Sequence, residues 1–356
     1  MPHLLVTGGA GFIGSHTARH FLGLGWDVTV YDNLSRPGSE HALEWLRSHP
    51  ASSRLTFIRG DVRDYEALAP AVAKADAILH AAGQTAVTTS VAAPRDDFEA
   101  NALGTFNVLE AARESLSGDH NPVIIYTSTN KVYGGMEDVG VELAGDHYRY
   151  AHLPQGVPET QPLDFHSPYG CSKGTGDQYT RDYARIYGLR TVVFRQSCIY
   201  GVWQFGTEDQ GWLAHFTIAA LLDLPLTIYG DGKQVRDVLY IDDLVDAYER
   251  AIALPDVSAG QIFNIGGGPE RAISLLDLIA ILEELRGRPM SISYDEWRPG
   301  DQRVYVSDIT KVQATLGWSP SVDVETGVRR LFEWAAEHRD LLTSIRAEVA
   351  NKTTRS

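Results

Sequence analysis

The stretch Leu4-Leu5-Val6-Thr7-Gly8-Gly9-Ala10-Gly11-Phe12-Ile13-Gly14 passes from a strand-like apolar run into a helix through spaced glycines. Gly8 permits a tight turn, Gly11 lets the backbone approach an anion at the helix N-terminus, and Gly14 lets helix and strand pack closely. No Gly-Lys-Ser/Thr follows, so this is not a mononucleotide P-loop. A glycine triplet alone is a weak signal. It gains weight from Asp32-Asn33 at the end of the next apolar run, Asp27–Tyr31. A carboxylate there accepts both hydrogen bonds of a ribose diol and repels a 2′-phosphate, which favours NAD over NADP.

Working outward, short apolar runs alternate with helical spacing through the first half. Strands are expected at Leu4–Thr7, Asp27–Tyr31, Leu55–Ile58, Ala77–His80, Val123–Thr127 and Thr191–Arg195, and helices at Phe12–Leu24, Glu40–His49, Tyr65–Ala73, Asp97–Ser115 and Ser172–Tyr187. Strands apolar on both faces and separated by helices predict an α/β fold: a doubly wound parallel sheet of the Rossmann type. After Gly201 the alternation loosens into a smaller α/β cap that should cover the carboxyl ends of the strands. The expected division gives residues 1–200 plus 236–266 to the dinucleotide domain and 201–235 plus 267–340 to the cap, with 341–356 a frayed tail. Gly134–Pro168, rich in Gly, Pro, Asp and His, reads as an ordered functional loop or a lid.

The chain has 356 residues, 44% hydrophobic and 22% charged, with a formal net charge of -15. That composition fits a soluble globular protein, and the charge argues against a non-specific grip on nucleic acid. An anionic small ligand would need placed arginines and backbone N–H groups. Cys171 and Cys198 are the two cysteines, which suits a reducing compartment, and no run approaches the length of a membrane span. The opening is strand-like without a basic leader, so a cytoplasmic location is expected. No membrane partner and no metal are expected.

A second constellation is Tyr169-Gly170-Cys171-Ser172-Lys173. Tyr and Lys four apart share one helix face, so the ammonium can sit beside the phenol and lower a pKa that is ordinarily about 10. With Thr127-Ser128-Thr129 ending the fifth strand, the Thr129 hydroxyl can bind the same substrate oxygen that Tyr169 deprotonates.

At these residues the chain resembles the extended short-chain dehydrogenase/reductase family, specifically its NAD-dependent nucleotide-sugar epimerases. The matching runs also include Gly60-Asp61-Val62, His80-Ala81-Ala82-Gly83-Gln84, Arg236–Leu244 and Arg298-Pro299-Gly300-Asp301. Within the family, Ser128–Gly134, Leu163–Gly174, Gly232–Asp237 and Gln204-Phe205 followed by Asp209-Gln210-Gly211-Trp212 resemble the CDP-tyvelose (CDP-paratose) 2-epimerases. The resemblance implies a catalytic set of Thr129, Tyr169 and Lys173. It implies NAD contacts from Gly8, Gly11, Phe12, Ile13, Gly14, Asp32, Asn33, Ser35, Arg36, Asp61, Val62, Ala81, Ala82, Gly83, Gln84, Thr127, Tyr169, Lys173 and Gln196. Substrate contacts would come from Thr88, Ser128, Asn130, Cys198, Gln204, Gln210, Arg236 and Arg298, the two arginines reading the diphosphate of a nucleotide sugar.

Two departures narrow the chemistry. Cys198 stands where many 4-epimerases and dehydratases carry Asn, and Asn130-Lys131 stand where the dehydratase signature has Asp-Glu, so no carboxyl is present to drive elimination. The resemblance therefore implies a nucleotide-sugar 2-epimerase acting through a transient 2-keto sugar. The rivals are a 4-epimerase acting on a UDP-hexose or uronate, a net dehydrogenase, and a non-catalytic NAD-sensing scaffold of the same fold. It also implies a homodimer or dimer of dimers through the helices Asp97–Ser115 and Ser172–Tyr187, with Phe106, Leu109, Tyr179 and Tyr183 as candidate outward apolar residues.

Overall fold

A computed structural model describes residues 1–118, 120–298 and 301–353. Its main sheet is seven parallel strands in the order Ile262–Ile265, Arg190–Gln196, Val123–Thr129, Ala77–His80, His3–Thr7, Asp27–Asp32, Leu55–Arg59. The doubly wound expectation holds. Leu4 and Val6 pack into the core on one face while Leu5 packs into a second core on the other, because successive strand side chains point to opposite faces. Ala18, Phe21 and Leu22 of the first helix, Phe12–Gly23, cover one face. Leu68, Val72, Val108 and Leu109 cover the other. Strand order reverses between His3–Thr7 and Ala77–His80, so the loops after these two strands part and leave a crevice at their carboxyl ends.

The cap is built on a separate small sheet. Val235–Tyr240 pairs in parallel with Cys198–Tyr200 and Val304–Tyr305 and antiparallel with Ala272–Ser274. The expected division placed residues from 236 onward with the main sheet; only Ile262–Ile265 of that stretch joins it. Arg236 and Asp237 therefore belong structurally to the cap sheet. Leu226–Tyr229 pairs with Ile292–Asp295 in a further two-stranded ladder.

Of the two readings of Gly134–Pro168, ordered loop or lid, the ordered one fits: the segment contains the hairpin Val141–Ala144/His147–Tyr150. Tyr150 and Val157 pack with Val235, Val304 and Tyr305 in a core of their own, and Tyr150 OH donates to Val304 O at 3.0 Å. The tail expected to fray from residue 341 is helical over Arg339–Thr353, because Leu342 and Ile345 are buried. Of the candidate outward residues, Phe106 and Tyr179 are exposed, while Leu109 and Tyr183 belong to the core. The helix read as Asp97–Ser115 is interrupted by a wider π-turn at Glu99–Leu103 between Pro94–Phe98 and Gly104–Ser115. Such turns recur near functional sites. None of the described helices is long and apolar enough to cross a membrane.

Candidate active site

The glycine turn sits over the crevice. Gly8 has φ +68°, and a Cβ there would lie 2.6 Å from Ala82 N; a Cβ on Gly14 would lie 2.2 Å from Gly8 O. Only glycine allows both contacts. Phe12–Gly23 has no side-chain cap at its N-terminus. A Cβ on Gly11 would meet only Gly8 O within 4 Å, so the space beyond it is open. Asp32 accepts from Ala10 N at 3.0 Å and Leu34 N at 2.8 Å, one bond per oxygen. Burial raises its pKa and these two bonds oppose the rise. Asn33 Nδ2 donates to Asp61 at 2.9 Å, and Arg63 on Asp61 is the main reason that carboxyl falls to about 2. Val62, beside it, is buried against Gly104. Ser35 N is held by Asn33 Oδ1 at 3.0 Å, and Arg36 reaches Thr85 at 2.7 Å and also Gln210.

Beside the turn, Ala81 N donates to Thr7 O at 3.0 Å and a Cβ on Gly83 would lie 2.5 Å from Asn101 Oδ1. Gln84 N donates to that same Asn101 oxygen at 2.9 Å. Gln84 Oε1 is buried without a hydrogen-bond partner among the described residues. Gln196 Nε2 donates to Tyr248 OH at 2.7 Å, and Thr127 Oγ1 to His80 O at 3.1 Å.

Tyr169 lies in the first turn of the helix Ser167–Tyr187. Ser167 has φ +63°, an unusual conformation for a non-glycine residue, and its Oγ accepts from Gly170 N at 3.2 Å. Ser90 Oγ accepts from Tyr169 N at 3.1 Å, and exposed Thr88 shares the short helix Val87–Ala92 with Ser90. Burial pushes the Tyr169 phenol above its ordinary value, while a hydrogen bond with Thr129 works the other way. Thr129 Oγ1 is oriented by Lys131 N at 3.2 Å. Lys173 is buried, its ammonium 4.4 Å from the centroid of the Tyr126 ring, and desolvation lowers it to about 7 against the pull of Asp177 and Asp97. The expected depression of the phenol is thus absent from the protein alone, because desolvation outweighs the Thr129 bond.

Among the residues assigned to the substrate, Ser128 is buried and its hydroxyl donates to Asp177 Oδ2 at 2.7 Å, within the buried pair Asp177–Arg195. Asn130 Oδ1 accepts from Thr129 Oγ1 at 3.3 Å. Trp212 Nε1 donates to Cys198 Sγ at 3.3 Å. Gln204 Nε2 is held by Ile199 O at 3.1 Å, while its buried Oε1 has no partner among the described residues. Arg236 binds Asp301 at 2.9 Å and Gln302 O at 2.6 Å. Arg298 pairs with Glu208 at 2.7 Å and lies 3.8 Å from the centroid of the Tyr229 ring. Pro299 and Gly300 of that motif lie outside the described residues.

Residues 4–266 match the NAD dependent epimerase/dehydratase family. The chain belongs to that family. It is 44% identical to the CDP-paratose 2-epimerase of Salmonella typhi over 94% of this chain and 99% of that protein. Among solved structures it resembles the UDP-glucuronic acid 4-epimerase of Bacillus cereus, in complex with UDP-glucuronic acid and NAD. The TM-score is 0.80 at 28% identity, covering 94% of this chain and 99% of that one. A dTDP-glucose 4,6-dehydratase of Streptomyces venezuelae, DesIV, also has a TM-score of 0.80, at 32% identity, covering 96% and 99%.

The crevice of this epimerase/dehydratase chain fits NAD on its own geometry. The uncapped helix N-terminus behind Gly11 offers N–H groups to a pyrophosphate. Asp32 keeps lone pairs for a ribose diol, and the orphaned Gln84 Oε1 is a ready acceptor. The sequence reading missed the scaffold beneath. Ser172 Oγ donates to Asp97 at 2.6 Å, and Asn101 Nδ2 donates to Asp97 at 3.0 Å and Gln84 O at 3.1 Å. The spacing Asp97, Asn101, Thr105 marks one helix face and was a usable signal. Asp177, four residues after Lys173, was another.

Proposed function

We propose that the protein is an NAD-dependent nucleotide-sugar 2-epimerase acting on a CDP-paratose-like substrate. The supporting observation is the likeness to the Salmonella typhi 2-epimerase, which spans both chains almost end to end. Gly8, Gly11, Gly14, Asp32 and Gln84 would hold NAD, which when bound supplies the acceptor and donor of a hydride, so the reaction needs no external oxidant. Tyr169 takes the proton of the C2 hydroxyl and gives it back, with Thr129 hydrogen-bonded to the same oxygen. The buried Lys173 holds positive charge near the phenol at the moment it ionises. Between the two transfers the flat 2-keto sugar turns its other face toward the site. Arg236 and Arg298 are assigned to the diphosphate, exchanging their carboxylate partners for phosphate oxygens. We assign a homodimer or a dimer of dimers to the working assembly and the cytoplasm as its location.

The test uses CDP-paratose labelled with deuterium at C2 or at C4. The expected outcome is a primary isotope effect with the C2 label alone and a product inverted at C2 by NMR. Inversion at C4 favours the 4-epimerase and removes the substrate assignment.

A further inference from the structure

Among the described residues no acceptor is hydrogen-bonded to the Lys173 ammonium, and no carboxylate lies within ion-pair distance of it. The acids on the elements around it are committed elsewhere. Asp177, one turn further along the same helix, holds Arg195 Nε and Nη2 at 2.9 Å each and accepts from Ser128. Asp97 accepts from Ser172 and Asn101, Glu99 pairs with Arg63 at 3.7 Å and Arg95 at 3.6 Å, and Glu110 takes Tyr183 and Arg113. Asp177 and Asp97 therefore favour the ammonium only across space.

What the ammonium does face is a ring. Lys173 Nζ lies over Tyr126, 4.4 Å from its centroid, and the two residues are 6% and 1% exposed. A cation over a π face within about 6 Å is attracted by the ring quadrupole, more strongly when water is excluded from both. This ring is fixed in place. Its hydroxyl donates to Lys173 O at 3.1 Å, so one side chain holds both the backbone and the ammonium of the lysine. His80, its partner in the parallel register of Ala77–His80 and Val123–Thr129, stacks beside it with centroids 5.7 Å apart and planes at 28°. His80 is pinned in turn. Thr105 Oγ1 spends its proton on Asn101 O at 2.5 Å, so it accepts from His80 Nε2 at 3.0 Å, and His80 Nδ1 then accepts from Thr7 Oγ1 at 2.7 Å. That imidazole, held down to about 3 chiefly by desolvation, adds no charge against the ammonium.

We propose that Tyr126 is a positioning residue for the reaction: its ring face is the seat of the Lys173 ammonium and keeps it charged where no carboxylate pairs with it. This rests on the reading of Lys173 as part of the catalytic set and goes beyond it by naming what holds that lysine. Tyr126 touches neither sugar nor cofactor in this role. It acts on the proton transfer at Tyr169 only through the lysine.

The test reads the lysine directly. NAD-loaded protein containing lysine isotopically labelled at Cε is titrated by NMR, and the Lys173 signal is assigned by its loss in Lys173→Met. The wild type is compared with Tyr126→Phe and with chains carrying increasingly fluorinated phenylalanines at position 126, which keep the shape of the ring and withdraw charge from its face. Because the ring favours the charged form, fluorination should move the Lys173 titration to lower pH, by about one unit across the series relative to Tyr126→Phe. In the epimerase assay kcat on the alkaline side should fall about tenfold in parallel, with little change in KM. NAD content and melting temperature check the fold, and Tyr126→Leu repeats the titration if the fluorinated chains lose NAD. A Lys173 that titrates at one pH across the phenylalanine series, or at the wild-type pH in Tyr126→Leu, overturns the proposal and leaves the catalytic reading standing. Full turnover in Lys173→Met overturns the catalytic role of the lysine and the positioning role of the ring together.

Discussion

Tyr169 and Lys173 show how burial acts on a pair of opposite type. Removing water from around both raises the phenol and lowers the ammonium to about 7, so each is pushed toward its neutral form. In the proposed mechanism phenolate must then come from the completed site, where the Thr129 hydroxyl, the lysine and NAD when bound would favour the ionised oxygen. Tyr169→Phe removes the proton acceptor without changing the ring. It should lower turnover by about two to four orders of magnitude while the protein still releases NAD on denaturation. Steady-state kinetics and the released dinucleotide measure the two halves separately. Asp32 makes a second residue-scale prediction. Its carboxylate is held by Ala10 N and Leu34 N, and a carboxylate in the proposed ribose site repels a 2′-phosphate, so calorimetry should find NAD bound far more tightly than NADP. The proposed catalytic trio was legible because Tyr169 and Lys173 lie on one turn and Thr129 ends a strand. The residues beneath were not, because Ser172–Asp97 and Ser128–Asp177 join positions 75 and 49 apart. Spacing encodes neighbours within an element and says little about neighbours between elements.

The helix Ser167–Tyr187 owes its position to small residues. A Cβ on Gly176 would lie 2.4 Å from Tyr126 OH, and one on Gly174 would lie 2.4 Å from the Phe165 ring. Tyr126 OH donates to Lys173 O at 3.1 Å, so helix and central strand are locked one turn below the phenol. Gly176→Ala should therefore force the helix outward, lowering both the melting temperature and kcat while the distant NAD turn keeps its affinity. Calorimetry and kinetics on the same preparation separate these effects. The alternation of strands and helices made the main sheet legible, since a strand buried on both faces has a continuous apolar signature. The cap was less so. Its strands are two to six residues long, and Val235–Tyr240 carries Arg236 and Asp237 within a strand. Gly134–Pro168 read as a loop from its composition, yet Tyr150 and Val157 make it part of the cap core.

At the scale of the molecule, buried histidines bear on the response to acid, and an exposed apolar face carries the proposed assembly. His16 and His215 are lowered from 6.5 to about 4 and His80 to about 3, chiefly by desolvation. The unfolded chain takes up protons below 6.5 that the folded chain refuses. Their contribution is thus fully present above pH 6.5 and is lost as pH falls toward 4 and then 3. His16→Gln should flatten the fall in melting temperature across pH 6.5 to 4 by removing one such group. The second feature follows from the two outer helical segments. Val91, Phe98 and Ile186 are 64%, 57% and 65% exposed, and Phe106, Tyr179 and Tyr187 are exposed with them. Phe106 and Tyr179 meet edge to face at 5.9 Å, tying the two helices into one surface. Exposed aromatics gathered on adjacent helices are the composition of an interface core, and a patch shared by identical chains is satisfied by a two-fold axis. Light scattering at micromolar concentration should give a mass of two chains or four. Tyr179→Arg combined with Phe106→Glu places charge in that apolar centre and should shift the mass to a single chain, with NAD still bound because neither residue lies at the glycine turn. A monomeric wild type would instead leave these aromatics as surface without a partner.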